Sequence, residues 1–165
     1  MSSYDDDPAV CRLAVGDDGI VELFRQRRLP MVRLAYTLTR DAELSDEIVQ
    51  DAFLQLHEKW ATVDNPAGYL RTAVVNRCHS HHRHLQVVRN APTVLDVPSG
   101  GQDGVDEALA RSVARLPFPQ QAVLVLRYFC DLDDVEIAAT LGISRATVRS
   151  RALRGLTRLR KEVTS

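Results

Sequence analysis

An all-α chain of two small helical units joined by a flexible linker is the architecture this sequence predicts, on three observations. No segment alternates apolar and polar residues strictly enough, between enough turn signals, to be a strand. Apolar positions instead recur at helical spacing, most clearly Leu44, Ile48, Val49, Ala52, Phe53, Leu56 and Trp60. From Gln86 to Gly104 that period vanishes into Asn90-Ala91-Pro92, Pro98-Ser99-Gly100-Gly101 and Gly104, the composition of a linker between domains.

The gross composition fits. A chain of 165 residues holds one medium core or two small ones, and 45% apolar with 26% charged residues is ordinary for a soluble globular protein. Cys11, Cys78 and Cys130 are too widely spaced for a disulfide ladder or a CxxC pair, which suits a reducing cytosol. Met1 to Asp7 lack the basic and apolar blocks of a secretory signal, and no run reaches membrane-span length, so a cytoplasmic protein without membrane insertion is expected. The net charge of -1 conceals a polar layout: acids crowd Asp5–Glu22 and Asp41–Glu58, and bases take over from Arg145 to Lys161.

Residues 1–18 are acidic and poor in periodic apolar positions, and are expected to be mobile. A helix from Gly19 to about Arg28 then meets Pro30, which is tolerated in a first helical turn and costs about 3 kcal/mol in a helix interior, so a second helix is expected to restart there and run to Arg40. The apolar stripe of Leu44–Trp60 makes the next helix, with Asp41 or Ser45 as its cap. Its opposite face carries Glu47, Gln50, Asp51 and Glu58, and at about 100° per residue Leu54 falls in their midst. A lone exposed leucine is one reading. A partner surface, with the acids steering a basic patch toward the leucine, is the other.

Asn65-Pro66-Ala67-Gly68 marks a turn into a third helix, Pro66 to about Leu85, with Tyr69, Leu70, Ala73 and Val74 inward. That helix ends in CHSHHRH, Cys78 to His84, which holds four of the five histidines. Cys78, His81 and His82 have the i, i+3, i+4 relation a zinc site uses, but no fourth ligand lies nearby in sequence. Solvated histidines and a basic edge facing nucleic acid are the other readings.

Beyond the linker, Val105–Arg115, Pro117–Phe129, Asp133–Leu141 and Ser144–Val163 read as helices. Val135, Ile137, Ala138 and Leu141 line one helix, Gly142 supplies the left-handed turn, and Ser144 caps the next helix, which Val148, Leu153 and Leu156 anchor on the core. This is a helix-turn-helix pattern. Ser144, Arg145, Thr147, Arg149, Ser150, Arg151 and Arg154 are then left for the outside, the residue types a DNA major groove accepts. Arg145 to Lys161 contain seven bases and no acid, which predicts salt-dependent attraction to phosphate.

In these motifs, their order and their spacing, the whole chain from about residue 19 to 162 resembles a sigma-70 family factor of the extracytoplasmic-function type, the short group with only sigma regions 2 and 4. DAELSDEIVQDAFLQLHEKW is similar to region 2.2, NPAGYLRTAVVNRCHSHHR to regions 2.3 and 2.4, and residues 116–160 to region 4. The resemblance implies a sigma region 2-like domain over 19–88, a linker over 89–104 and a region 4-like helix-turn-helix domain over 105–163. It implies that Glu47, Gln50, Asp51 and Leu54 bind core RNA polymerase, and that Asn65, Arg71, Asn76, Arg77 and Arg83 serve melting and recognition of the minus-10 promoter element. The outward residues of the last helix, Ser144 to Arg154, would read the minus-35 element, and an anti-sigma factor would hold the chain inactive. Ser80 and His84 stand where the family commonly has Asp and Arg. Histidines titrate near pH 6.5, so minus-10 engagement is expected to strengthen on acidification. No enzymatic activity or catalytic residue is expected, because no general base, nucleophile or phosphate loop accompanies the histidines, and no metal or cofactor is expected, a closed metal site lacking its fourth ligand nearby. The alternative is a stand-alone helix-turn-helix transcriptional regulator.

Overall fold

The computed structural model describes the backbone of residues 8–89 and 104–164, and the side chains of residues 18–87 and 107–164. The helices are α1 (Pro8–Thr39), α2 (Ala42–Glu58), α3 (Pro66–Arg89), α4 (Gly104–Ala114), α5 (Phe118–Leu124), α6 (Asp134–Leu141) and α7 (Arg145–Thr164), and α5 runs on into a π-helical turn, Val125–Phe129. No strand occurs among the described residues, and none of their helices is long and apolar enough to cross a membrane.

The N-terminal region departs from expectation. α1 is continuous from Pro8 through Pro30 to Thr39, so residues 8–18 are helical and Pro30 sits in a helix interior rather than restarting one. Residues 1–7 lie outside the described residues. Proline is tolerated because Pro30 is exposed, where water can solvate the freed carbonyl of Gln26, and because both halves of α1 dock on α2. Gly19 lies so close to Trp60 that a Cβ there would meet the indole at 2.8 Å, the Phe24 ring meets Phe53 edge-on at 4.9 Å, and Met31, Leu34, Ala35 and Leu38 are buried. Packing on both sides of the proline offsets its cost.

α1 ends at Thr39, Arg40 follows in the left-handed region at φ 58, and Asp41 then caps α2 by accepting from the Leu44 backbone at 3.0 Å. Ser45 is buried, its hydroxyl donating to the Asp41 carbonyl at 2.6 Å. α2 buries Ile48, Val49, Ala52, Phe53 and Leu56, while Trp60 lies in the turn beyond its end. Asn65 accepts from the Gly68 backbone at 3.1 Å, with Pro66 in the first turn of α3. α3 buries Leu70, Val74, Val75 and Cys78, so its inward face includes two residues beyond the expected set.

In the second unit, Asp133 and Glu136 form a reciprocal capping box at the start of α6, Gly142 ends it at φ 65, and the Ser144 hydroxyl accepts from the Thr147 backbone at 3.1 Å to open α7. Leu153 does not anchor α7: it is 66% exposed, and Ala152 and Gly155 take the buried side with Val148. A Cβ on Gly155 would meet Leu124 at 2.8 Å, so the missing side chain lets α7 lie against α5.

The two units share one apolar core and touch through specific pairs. Arg40 donates to Glu107 of α4 at 2.5 Å and Gln121 of α5 donates to the Thr37 carbonyl at 3.4 Å, while within the first unit His82 of α3 donates through Nε2 to the Leu38 carbonyl of α1 at 2.5 Å. Residues 90–103, most of the expected linker, lie outside the described residues.

Candidate nucleic-acid and polymerase interfaces

α2 carries Glu47, Gln50, Asp51 and Leu54 at i, i+3, i+4 and i+7, and this spacing puts all four on the side away from its buried stripe. Glu47, Gln50 and Leu54 are exposed, Leu54 at 64%, and Asp51 is half-buried. Asp51 is half-buried because its Oδ2 accepts from Arg77 Nη1 of α3 at 3.0 Å. A residue expected to meet polymerase and one expected to meet DNA are therefore ion-paired. They border a cleft of about 580 Å³ between α2 and α3, also lined by Glu47, Tyr69, Asn76 and His81.

The remaining minus-10 candidates divide. Asn76 and Arg83 are both exposed, as are Ser80 and His84, and the seven-residue separation of Asn76 and Arg83 returns them to one helix face. Asn65 is exposed immediately before α3, with its side chain engaged as a cap. Arg71 is half-buried and lies close enough to Cys130 of the second unit to pull that thiol's titration down against the upward push of burial. The structure does not bring Arg71 onto the face of Asn76 and Arg83.

CHSHHRH resolves into separate environments. Cys78 is fully buried and its thiol is pushed up to about 12 by desolvation, so it stays protonated near neutrality. His79 stacks on Phe118 of α5 with ring centroids 4.7 Å apart and planes within 5°, and His82 packs on the same ring at 4.9 Å. The His79 pKa is lowered, first by burial and then by Arg83, His82 and Arg151; that of His81 is lowered by burial and by His82. Among the described residues no group of three or more His, Cys, Asp or Glu is placed to hold a metal ion. Of the cluster, Ser80, Arg83 and His84 remain exposed, while His79 and His82 meet the second unit.

The capping Ser144 is exposed, as are Arg145, Arg149, Ser150 and Arg154 on α7, and Thr147 is half-buried with its hydroxyl against Ser144 at 2.9 Å. Arg151 is half-buried and close enough to His79 to disfavour the charged imidazole, so it lies toward α3. The helix-turn-helix also holds a contact that periodicity does not announce. Asp134 Oδ2 accepts from Arg149 Nε at 3.0 Å while its Oδ1 accepts from Arg127 of the π turn. The run Asp131-Leu132-Asp133-Asp134, acidic residues opening the helix before a basic one, was the available signal.

Both units are similar to known proteins. Residues 23–87 match the family model for Sigma-70 region 2, and residues 106–159 match that for Sigma-70, region 4. The RNA polymerase sigma-E factor of Streptomyces coelicolor is 30% identical over 151 residues, covering 86% of this chain and 84% of that protein. The ECF RNA polymerase sigma factor SigM of Mycobacterium tuberculosis is 31% identical over 144 residues, covering 84% of this chain and 74% of that protein. Among solved structures, the sigma factor RpoE of Bartonella quintana, in complex with the anti-sigma factor NepR, shares the fold at TM-score 0.69 and 18% identity, covering 87% of this chain and 97% of that one. CnrH, in complex with the cytosolic domain of CnrY, does so at TM-score 0.66 and 17% identity, covering 90% and 89%.

Proposed function

This chain belongs to the sigma-70 family of RNA polymerase sigma factors, in its extracytoplasmic-function group, and from that premise we propose that its faces divide promoter-specific transcription initiation among α2, α3 and α7. Glu47, Gln50, Asp51 and Leu54 dock α2 on core RNA polymerase, Leu54 supplying apolar contact and the acids steering a basic partner surface. Asn65, Asn76 and Arg83 engage the minus-10 element as single strand, joined by Arg77 when polymerase competes for Asp51. Arg71 joins them only if the two units separate. Ser144, Arg145, Thr147, Arg149, Ser150 and Arg154 approach the minus-35 duplex in the major groove, with Arg151 entering after release from the α3 side.

Two weak DNA contacts on one chain become one specific contact when polymerase sets their separation. Sigma alone, with His79 and His82 packed on Phe118, therefore binds promoter DNA poorly. An anti-sigma factor covering these faces would keep the chain inactive in the cytoplasm, and the bond-forming chemistry is the polymerase's, not the chain's.

The observation that carries this reading is a 64% exposed leucine amid acids on the helix matched to region 2, in one chain with a helix-turn-helix whose outer face is basic. The test is transcription in vitro with core polymerase on a genomic library. Initiation at a discrete promoter set is expected; stable binding to a palindromic operator without polymerase, and no initiation, would favour the stand-alone regulator.

A further inference from the structure

We propose that Asp134 is a positioning residue for promoter specificity: it orients the Arg149 guanidinium so that its two terminal nitrogens present a fork to one base of the minus-35 duplex. The proposal rests on the reading that α7 enters that duplex.

Asp134 stands in the first turn of α6 but is not its cap, since Asp133 and Glu136 already form the capping box. Its carboxylate is held from behind, with Oδ1 accepting from Arg127 on the π turn; the Asp134 and Arg127 side chains are only 25% and 26% exposed. From that fixed point Oδ2 accepts from Arg149 Nε at 3.0 Å, while the Arg149 side chain is 68% exposed. Both arginines hold the Asp134 carboxyl below the usual carboxylate range, so it stays ionised at any working pH.

The atom that Asp134 engages decides the consequence. With Nε–H donated to the acid, Nη1 and Nη2 have no partner among the described residues. They form the planar end-on pair of donors that matches guanine O6 and N7. A long flexible side chain otherwise samples many rotamers, and only a held one discriminates sharply between bases. Phosphate attraction gives no reason for an acid here, because a carboxylate beside the groove repels the backbone. An acid that weakens general affinity and fixes one arginine has a role in specificity.

The test uses holoenzyme assembled from core polymerase and the full chain, transcribing a promoter library randomised across the minus-35 element. Arg149→Ala is expected to flatten base preference at one position. Asp134→Ala is expected to reduce preference at that same position about tenfold and to leave the others unchanged, and Asp134→Asn, which keeps one acceptor, to reduce it less. Asp134→Ala combined with Arg149→Ala should be no worse there than Arg149→Ala alone. Binding to duplex lacking a minus-35 element should be unchanged or stronger for Asp134→Ala. Intact preference in Asp134→Ala at the Arg149 position overturns the proposal, as does an equal loss at every position with a lowered melting temperature, which would make Asp134 merely structural. If wild-type holoenzyme initiates but Arg149→Ala alters no position, the placement of α7 in the duplex fails first and the proposal with it.

Discussion

Leu54 and Asp51 are three residues apart on α2 and pose different tests. Leu54 is 64% exposed and anchors nothing in the core, so Leu54→Arg should leave thermal stability within about 0.5 kcal/mol while weakening binding to core polymerase about thirtyfold or more, as truncating an interface anchor does. Titration of labelled core polymerase measures this, and unchanged affinity would remove α2 as the docking face. Asp51 is tied to Arg77 at 3.0 Å, so reversing its charge also frees or misplaces an arginine of the neighbouring helix. Glu47 is exposed with no such tie among the described residues and is the cleaner site for charge reversal. Position on α2 was legible in the sequence because exposure follows helical phase. The tie to Arg77 was not, because its partner is 26 residues away in the chain.

At the scale of elements, local rules held wherever the decisive contact was local. Gly142 ends α6 at φ 65 with open space around it, so Gly142→Ala meets backbone strain without a clash and should destabilise by about 1 kcal/mol, read by urea unfolding. The same rules mispredicted a break at Pro30, because propensity is a weak prior and the flanking residues pack on α2 from both sides. Pro30→Ala should therefore stabilise the chain by about 2 kcal/mol: the interior penalty is relieved, less the unfolded-state entropy that proline removes. Calorimetry showing no gain would mean the helix already bends to accommodate it. Leu153 and Gly155 make a similar contrast. Leucine at helical spacing suggested an anchor, but close approach to Leu124 selects the side of α7 that lacks bulk.

In the whole molecule the two units meet, and the histidine cluster is part of the junction. The His79 pKa is lowered mainly by burial against Phe118, so the packed state favours the neutral imidazole. Its contribution is full above the ordinary histidine pKa of about 6.5 and is lost as pH falls through that value toward the lowered one. Acidification from about pH 7.5 to 5.5 should loosen the units, seen as a longer distance between fluorophores on α2 and α7. Phe118→Ala should give the longer distance at both pH values and blunt the response. A distance that ignores both pH and Phe118 would mean that other contacts, such as Arg40 with Glu107 at 2.5 Å, hold the junction alone. A pH response carried by His79 would therefore act at the junction of the two units.

The sequence by itself determined an all-α chain, the helix-turn-helix with its glycine and serine signals, the acidic face around Leu54 and the basic face of α7. Each is a periodic or capping property set within a few residues, so the linear pattern states it. Only the tertiary structure decided which charges are held: Arg77 by Asp51, Arg149 by Asp134 and Arg40 by Glu107, the last pair 67 residues apart. It also put His79 and His82 on Phe118 instead of in solvent. Ion pairs and ring contacts depend on side chains converging from distant elements, and helical phase tells which way a residue faces without telling what it will find there.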